Sequence, residues 1–272
     1  MVVKEVDLKK NSIEEIIVKY NVDKDLLSDV KDESEMARFL EKEGFTEIIL
    51  KYPTTKGDVK TLGAYVRKDD VVFIYDENPS FNLGVSYNYT NILRVIVDVI
   101  YKISEQYFKS LKNIDKKMRK IKSSSKSRVK NSDLLSMFEL QNTLDDYVMG
   151  LKGNISVLNK IMTILPQNEF VNDTKIECDQ ALETAISYSK TVSNLKSTLE
   201  IITNNLTNKR MESLTIVNVS ALIITSMSGL YGMNVELPFA NKPDVFYWLL
   251  AGSVCSAVFV GLYLNRQFSN KK

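Results

Sequence analysis

Residues 211–264 read MESLTIVNVSALIITSMSGLYGMNVELPFANKPDVFYWLLAGSVCSAVFVGLYL, two apolar stretches joined by a short polar loop. The second stretch, Phe246 to Leu264, holds 19 residues without a formal charge. As a helix it spans roughly 28 Å, the hydrocarbon thickness of a bilayer. Phe246, Tyr247 and Trp248 open it, where amphipathic rings favour the headgroup level. The first stretch, Met211 to Leu230, includes Glu212, Ser213, Thr215, Asn218, Ser220, Thr225, Ser226 and Ser228, which lipid does not tolerate on every side. At 100° per residue, Asn208, Met211, Thr215, Asn218, Leu222, Thr225, Ser226 and Gly229 share one stripe about 100° wide. Such a stripe at membrane depth either faces a watery cavity or packs against another helix through small residues. Two helices cannot enclose a water-filled hole, so a cavity demands several copies in a closed ring.

Basic residues set the expected orientation. Lys209 and Arg210 precede the first stretch and Arg266, Lys271 and Lys272 follow the second, whereas the loop between them has Lys242 beside Glu236 and Asp244. The positive-inside rule then puts both termini in the cytoplasm and the loop outside, in a multi-pass protein of the cell membrane. The N-terminus, Met1 to Asp7, lacks an apolar core, so a cleavable leader is not expected. A net charge of +2 gives no reason to expect a nucleic-acid partner. With no histidine among 272 residues, imidazole metal sites and imidazole-based triads are excluded. Cys178 and Cys255 read as two unpaired thiols. No glycine-rich phosphate cradle precedes a helix, and no catalytic constellation is visible, so neither an enzyme nor an organic cofactor is expected.

The chain before position 211 reads as an α+β domain over residues 1–88 followed by long helices. Ser12 to Tyr20, Asp23 to Val30 and Glu33 to Glu43 look helical, and Phe45 to Tyr52 is a β-branched run. Lys60 to Arg67 and Val71 to Tyr75, joined by Lys68-Asp69-Asp70, read as a hairpin. From residue 89 to 168 a helical hairpin is expected, broken at Ser123-Ser124-Ser125 and ending before Pro166. A stalk helix over 169–210 follows, with Val192, Leu195, Leu199, Ile202 and Leu206 at the 3.5 spacing of a coiled-coil seam. No proline or glycine interrupts the chain from Asn172 to Ser228, so the stalk is expected to continue unbroken into the first span, a rod of roughly 85 Å. The division continues with spans at 211–230 and 246–264, the loop 231–245 between them, and a basic tail at 265–272. Lys116, Lys117, Arg119, Lys120, Lys122, Lys126, Arg128 and Lys130 make the turn of the hairpin strongly basic: a solvated helix end, or a surface for anionic lipid or a neighbour's acidic groups.

Tyr231-Gly232-Met233-Asn234 lies between the two spans, and a Gly-Met-Asn tripeptide in that place resembles the CorA family of magnesium transporters. The resemblance covers the whole architecture, and it implies a homopentameric, funnel-shaped channel: an α+β cytoplasmic domain, long α-helices and two transmembrane helices. It implies that Tyr231, Gly232, Met233 and Asn234 form the ion-entry motif, with the Asn234 amide oxygen meeting the water shell of Mg2+. Mg2+ gives up its waters reluctantly, and a ring of neutral acceptors suits a hydrated ion better than carboxylates, which release it slowly. The family's pore pattern falls on Asn208, Met211, Leu214, Thr215, Asn218, Leu222, Thr225 and Gly229, with Met211, Leu214 and Leu222 as a gate that closes by dewetting. Asn218 departs from the usual small or apolar residue, and the proline common near Ile223 is missing. Cytoplasmic Mg2+ sensing is implied between subunits, with Glu41 and Glu43 facing Asp173 and Glu177; Ser197 stands where a lower stalk carboxylate is expected. The implied function is Mg2+ uptake down the electrochemical gradient, with Co2+ or Ni2+ as secondary ions and cytoplasmic Mg2+ as regulator. A zinc transporter of the same superfamily is one alternative, and a non-transporting membrane scaffold another.

Overall fold

The computed structural model describes residues 2–68, 70–83, 91–124, 131–166, 169–233 and 244–269. Five strands form one sheet: β1 (Val2–Asp7), β2 (Arg38–Lys42), β3 (Phe45–Pro53), β4 (Val59–Arg67) and β5 (Asp70–Tyr75), in the spatial order β1-β5-β4-β3-β2. β1 runs parallel to β5, and every other pair is antiparallel. The helices are α1 (Ile13–Tyr20), α2 (Lys24–Lys31), α3 (Ile92–Ser124), α4 (Asn131–Ile164), α5 (Glu169–Tyr231) and α6 (Asp244–Ser269). The chain divides into two compact units, residues 1–199 and 200–272.

In the first unit the sheet is covered on both faces, so its central strands read as continuous apolar runs. Their two-residue period sends Ile48, Leu50, Tyr52, Val71 and Phe73 to one side, where α3, α4 and the first part of α5 pack. Ile49, Val72 and Ile74 point to the other side, against Ile16 of α1 and Leu26, Leu27 and Val30 of α2. Local chemistry fixes the short helices: Ser12 caps α1 in a reciprocal box with Glu15, and the Asp23 side chain accepts from Asp25 N–H at the start of α2. Lys68, in a left-handed conformation with φ of 52°, turns β4 into β5.

One reading is corrected here. Glu33 to Glu43 is not a helix; Arg38–Lys42 is the edge strand β2, paired with β3 from Arg38↔Ile49 to Lys42↔Phe45. The two-residue connection Glu43-Gly44 makes this hairpin, and Gly44 supplies the φ of 85° that the turn requires. The N-terminal residues also form a strand, β1, which completes the opposite edge.

The helical layer has a definite register. Tyr107 of α3 stacks edge-on against Tyr147 of α4, with ring centroids 5.1 Å apart, and Met118 and Met137 are both buried further along, so the pair is antiparallel. Asn159 meets Lys175 at 2.7 Å, Asp145 meets Ser189 at 3.0 Å, and Lys196 Nζ lies 4.9 Å over the Phe138 ring, so α5 is antiparallel to α4. Asn154 of α4 ties this layer to the sheet. Its Oδ1 accepts from Lys51 N–H at 2.8 Å and its Nδ2 donates to Lys51 C=O at 2.7 Å, beyond the point where β2 stops pairing with β3. A side-chain amide thus stands in for the missing strand. On the far face the Lys51 ammonium donates to Thr61 Oγ1 at 2.7 Å and to Glu33 C=O at 3.0 Å, and burial holds its pKa below the usual lysine value.

Candidate functional site

The second unit holds the C-terminal part of α5 and all of α6, both long and apolar enough to cross a membrane. Small residues of α6 stand at the centre of their contact. Ser253 and Ala257 are buried and Gly261 is half-buried, at intervals of four on α6. A Cβ on Gly261 would sit 3.3 Å from Ser220 Oγ and 3.7 Å from Ile216 Cγ2, so the absence of a side chain there sets how closely the helices approach. Ser220 Oγ donates to Ala257 C=O at 3.3 Å across the seam. Between Met211 and Leu230 the half-buried positions of α5 are Glu212, Ile216, Val219, Ser220 and Ile223, which mark the side turned toward α6.

The sequence-derived stripe lies about 110° around the helix from that side. Asn208, Met211, Thr215, Asn218, Leu222, Thr225, Ser226 and Gly229 are all exposed, as is Leu214 at the edge of the stripe. The structure therefore gathers these residues on one face and leaves that face uncovered by α6. Thr215 and Thr225 donate their hydroxyl hydrogens to the helix's own carbonyls, at Met211 and Ala221, each at 2.9 Å. Within the protomer the contact with α6 uses Ser220, and the polar stripe is a separate surface. The missed half of this arrangement had a signal, the Ser253, Ala257, Gly261 spacing on α6.

Of the residues expected to form an ion-entry motif, Gly232 follows the end of α5, its N–H donating to Ser228 C=O at 3.0 Å and Gly229 C=O at 3.2 Å. Met233 follows, exposed. Tyr231 is the last residue of α5, and Asn234 lies outside the described residues, as does the rest of the loop to residue 243. Phe246, Tyr247 and Trp248 at the start of α6 are 66%, 70% and 77% exposed.

In the first unit, Asp173 and Glu177 line a cleft of about 470 Å³ between α3 and α5, with Asp98, Glu105, Tyr101 and Lys102. Asp98 is buried and paired with Lys102 at 2.8 Å. Glu41, on β2, and Glu43, in the turn after it, are exposed and are not part of this cleft. Within one protomer the two carboxylate pairs are not brought together. Among the described residues no three acidic or cysteine side chains converge to hold a metal ion. Cys178 is buried in the helical layer, where desolvation pushes its thiol up to about 12, and both cysteines are free.

Comparison with known proteins adds the lineage. The family described as CorA-like Mg2+ transporter protein matches residues 5–266. The cobalt/magnesium transport protein CorA of Methanocaldococcus jannaschii is 22% identical over 262 residues, covering 87% of this chain and 80% of that protein. The complete structure of the CorA magnesium transporter from the same organism superposes with a TM-score of 0.72 at 20% identity, over 97% of this chain and 89% of that one. The full-length CmaX protein gives 0.62 at 13% identity, over 97% of this chain and 87% of its own. These structures share the fold: an α+β domain, long helices and a C-terminal apolar pair. Because the family match runs through both compact units, from residue 5 to residue 266, the chain belongs to the CorA-like Mg2+ transporter family.

Proposed function

We propose that the protein is a homopentameric channel that admits Mg2+ into the cytoplasm, with Co2+ and Ni2+ as secondary ions. The observation that carries this reading is the uncovered polar face of α5 in a member of a magnesium-transporter family. A membrane helix does not leave Asn218, Thr215, Thr225 and Ser226 to lipid, so a ring of copies turns them toward a shared aqueous axis. Met211, Leu214 and Leu222, each about three-fifths exposed on the protomer, form the dry constriction of the closed state. Asn234 offers its amide to the hydrated ion at the outer mouth, with both termini cytoplasmic. The membrane potential supplies the driving force, about 4.6 kcal/mol for a divalent ion per 100 mV. Regulation by cytoplasmic Mg2+ uses Asp173 and Glu177 of one copy with Glu41 and Glu43 of the next; the separation of these pairs within the protomer supports an inter-subunit arrangement. The domain limits follow the same reading, with 1–88, 89–168 and 169–210 in the cytoplasm, spans at 211–230 and 246–264, the outer loop at 231–245 and the tail at 265–272.

The test is Mg2+ flux into liposomes under an imposed potential, paired with growth rescue of a cell deficient in magnesium uptake. Wild type is expected to conduct and to rescue, and Asn234→Ala to lose rescue at limiting magnesium. Rescue undiminished by the substitution removes Asn234 from the ion path; absent flux in wild type favours a membrane scaffold. Competition by Zn2+ at lower concentration than Co2+ would assign the chain to zinc.

A further inference from the structure

The last turns of α3 carry a surface that ion conduction does not use. From Lys112 to Lys122 seven side chains are exposed, and six of them are basic: Lys112, Lys116, Lys117, Arg119, Lys120 and Lys122. Leu111, Ile114 and Met118 take the inward positions, so the cations all project away from the helical layer. Arg119 is paired with Asp115 at 2.8 Å; among the described residues the other five have no carboxylate partner. The register of the layer shows where this patch sits. With α3 antiparallel to α4, and α4 antiparallel to α5, the basic end of α3 lies at the end of the first unit where α5 leaves it, near Lys196. The other end of α5 within this unit carries Glu169, Asp173, Glu177, Asp179 and Glu183. Positive charge is thus collected at the exit end and negative charge at the opposite one. Twelve positions along the chain from Leu199, the last residue of that unit, stands Met211, the first residue of the apolar stretch.

We propose that the basic end of α3 docks on anionic phospholipid headgroups of the bilayer that holds α5 and α6. The proposal rests on the membrane reading of those two helices given above. A bilayer surface with anionic lipid attracts a cluster of lysines without requiring a shaped pocket, which fits long cations spread over three turns. Carboxylates of a second copy are the weaker candidate. Copies related by rotation about an axis along α5 meet at equal levels, and at this level α5 offers two lysines, Lys190 and Lys196, against a single carboxylate, Glu200.

The test uses the full-length protein in lipid nanodiscs, made either of phosphatidylcholine alone or with phosphatidylglycerol added to both leaflets, so that the outcome is independent of orientation. Backbone hydrogen exchange is followed in the segment 112–124. With phosphatidylglycerol it is expected to slow by about fivefold or more, the effect of even one lysine held at an anionic surface. Added salt should erase the difference. The charge-reversed variant K116E/K117E/K120E/K122E should show no lipid dependence while exchange in β3 and β4 stays unchanged, which reports that it is folded. Equal exchange of the wild-type segment in the two bilayers overturns the proposal. So does slow, salt-sensitive exchange in both, which assigns the patch to carboxylates of a neighbouring copy. A protein that does not enter discs at all refutes the membrane reading itself, and the proposal with it.

Discussion

Replacing Asn154 by leucine removes the side-chain amide that completes the outer edge of β3 beyond β2. Asn154 is 1% exposed, and its amide satisfies both the N–H and the C=O of Lys51. Leucine keeps the four side-chain heavy atoms and the branch at Cγ, so the substitution removes the hydrogen bonds with little change of shape, although its methyl groups are bulkier than the amide. The Lys51 N–H then has no acceptor, whereas its C=O keeps the Tyr107 hydroxyl at 3.3 Å. A buried backbone group without a partner costs about 1–3 kcal/mol, and a partly satisfied one less, so the loss is about 2–4 kcal/mol. For a unit of this size that lowers Tm by about 5–15 °C. Circular dichroism of the full-length protein in detergent reads the melting. Hydrogen exchange reads the cause, because the Lys51 amide should lose protection more than the amide of Leu62 on β4. A variant that melts within about 1 °C of wild type would refute the reasoning, since it would show that the Lys51 backbone finds other partners at no cost.

Gly261→Leu should separate α5 from α6, because even a Cβ there comes to 3.3 Å from Ser220 Oγ; Gly261→Ala should cost only about 1 kcal/mol. Size-exclusion profiles in detergent together with Mg2+ flux check this, and an unaltered leucine variant would contradict the close seam. Lys51 gives a pH dependence whose direction follows from its lowered pKa. Between that lowered value and 10.5, the unfolded chain binds more protons than the folded one, so the stability of wild type should rise with pH relative to Lys51→Met. The penalty is fully present below the folded pKa and is gone above the unfolded one. Parallel pH–stability curves for the two proteins would show that the ammonium is not desolvated at a cost.

What could be read from the sequence divides by the range of the forces involved. The apolar period of α3 and the unbroken run from Asn172 to Ser228 are local patterns, and the helices lie where those patterns place them. The polar face of α5 was equally legible, because 100° per residue suffices to gather Thr215, Asn218 and Thr225. By contrast, Glu35, Met36, Ala37, Leu40, Glu41 and Lys42 are good helix formers, yet pairing with β3 overrides their preference at β2. The clue was Glu43-Gly44, a two-residue turn beside the apolar Phe45. β1 depends on β5, nearly seventy residues away in sequence, and Val2 to Asp7 alone contains no turn to announce it. The carboxylates Glu41, Glu43, Asp173 and Glu177 were chosen by resemblance, and within the protomer the two pairs stay apart. Asn234, to which the resemblance assigns the outer ion contact, lies outside the described residues.

Thr215 and Thr225 give up their hydroxyl protons to carbonyls of their own helix, and what they show on the uncovered face is oxygen lone pairs. In the channel proposed here, water touching such a wall is polarised by it: each molecule turns a hydrogen outward to the threonine and its oxygen inward. Fivefold repetition of that bias makes a solvent column whose negative ends converge, hospitable to a cation still wearing its hydration shell and hostile to chloride. Discrimination by charge sign would then begin well inside the membrane, without a single carboxylate on the wall.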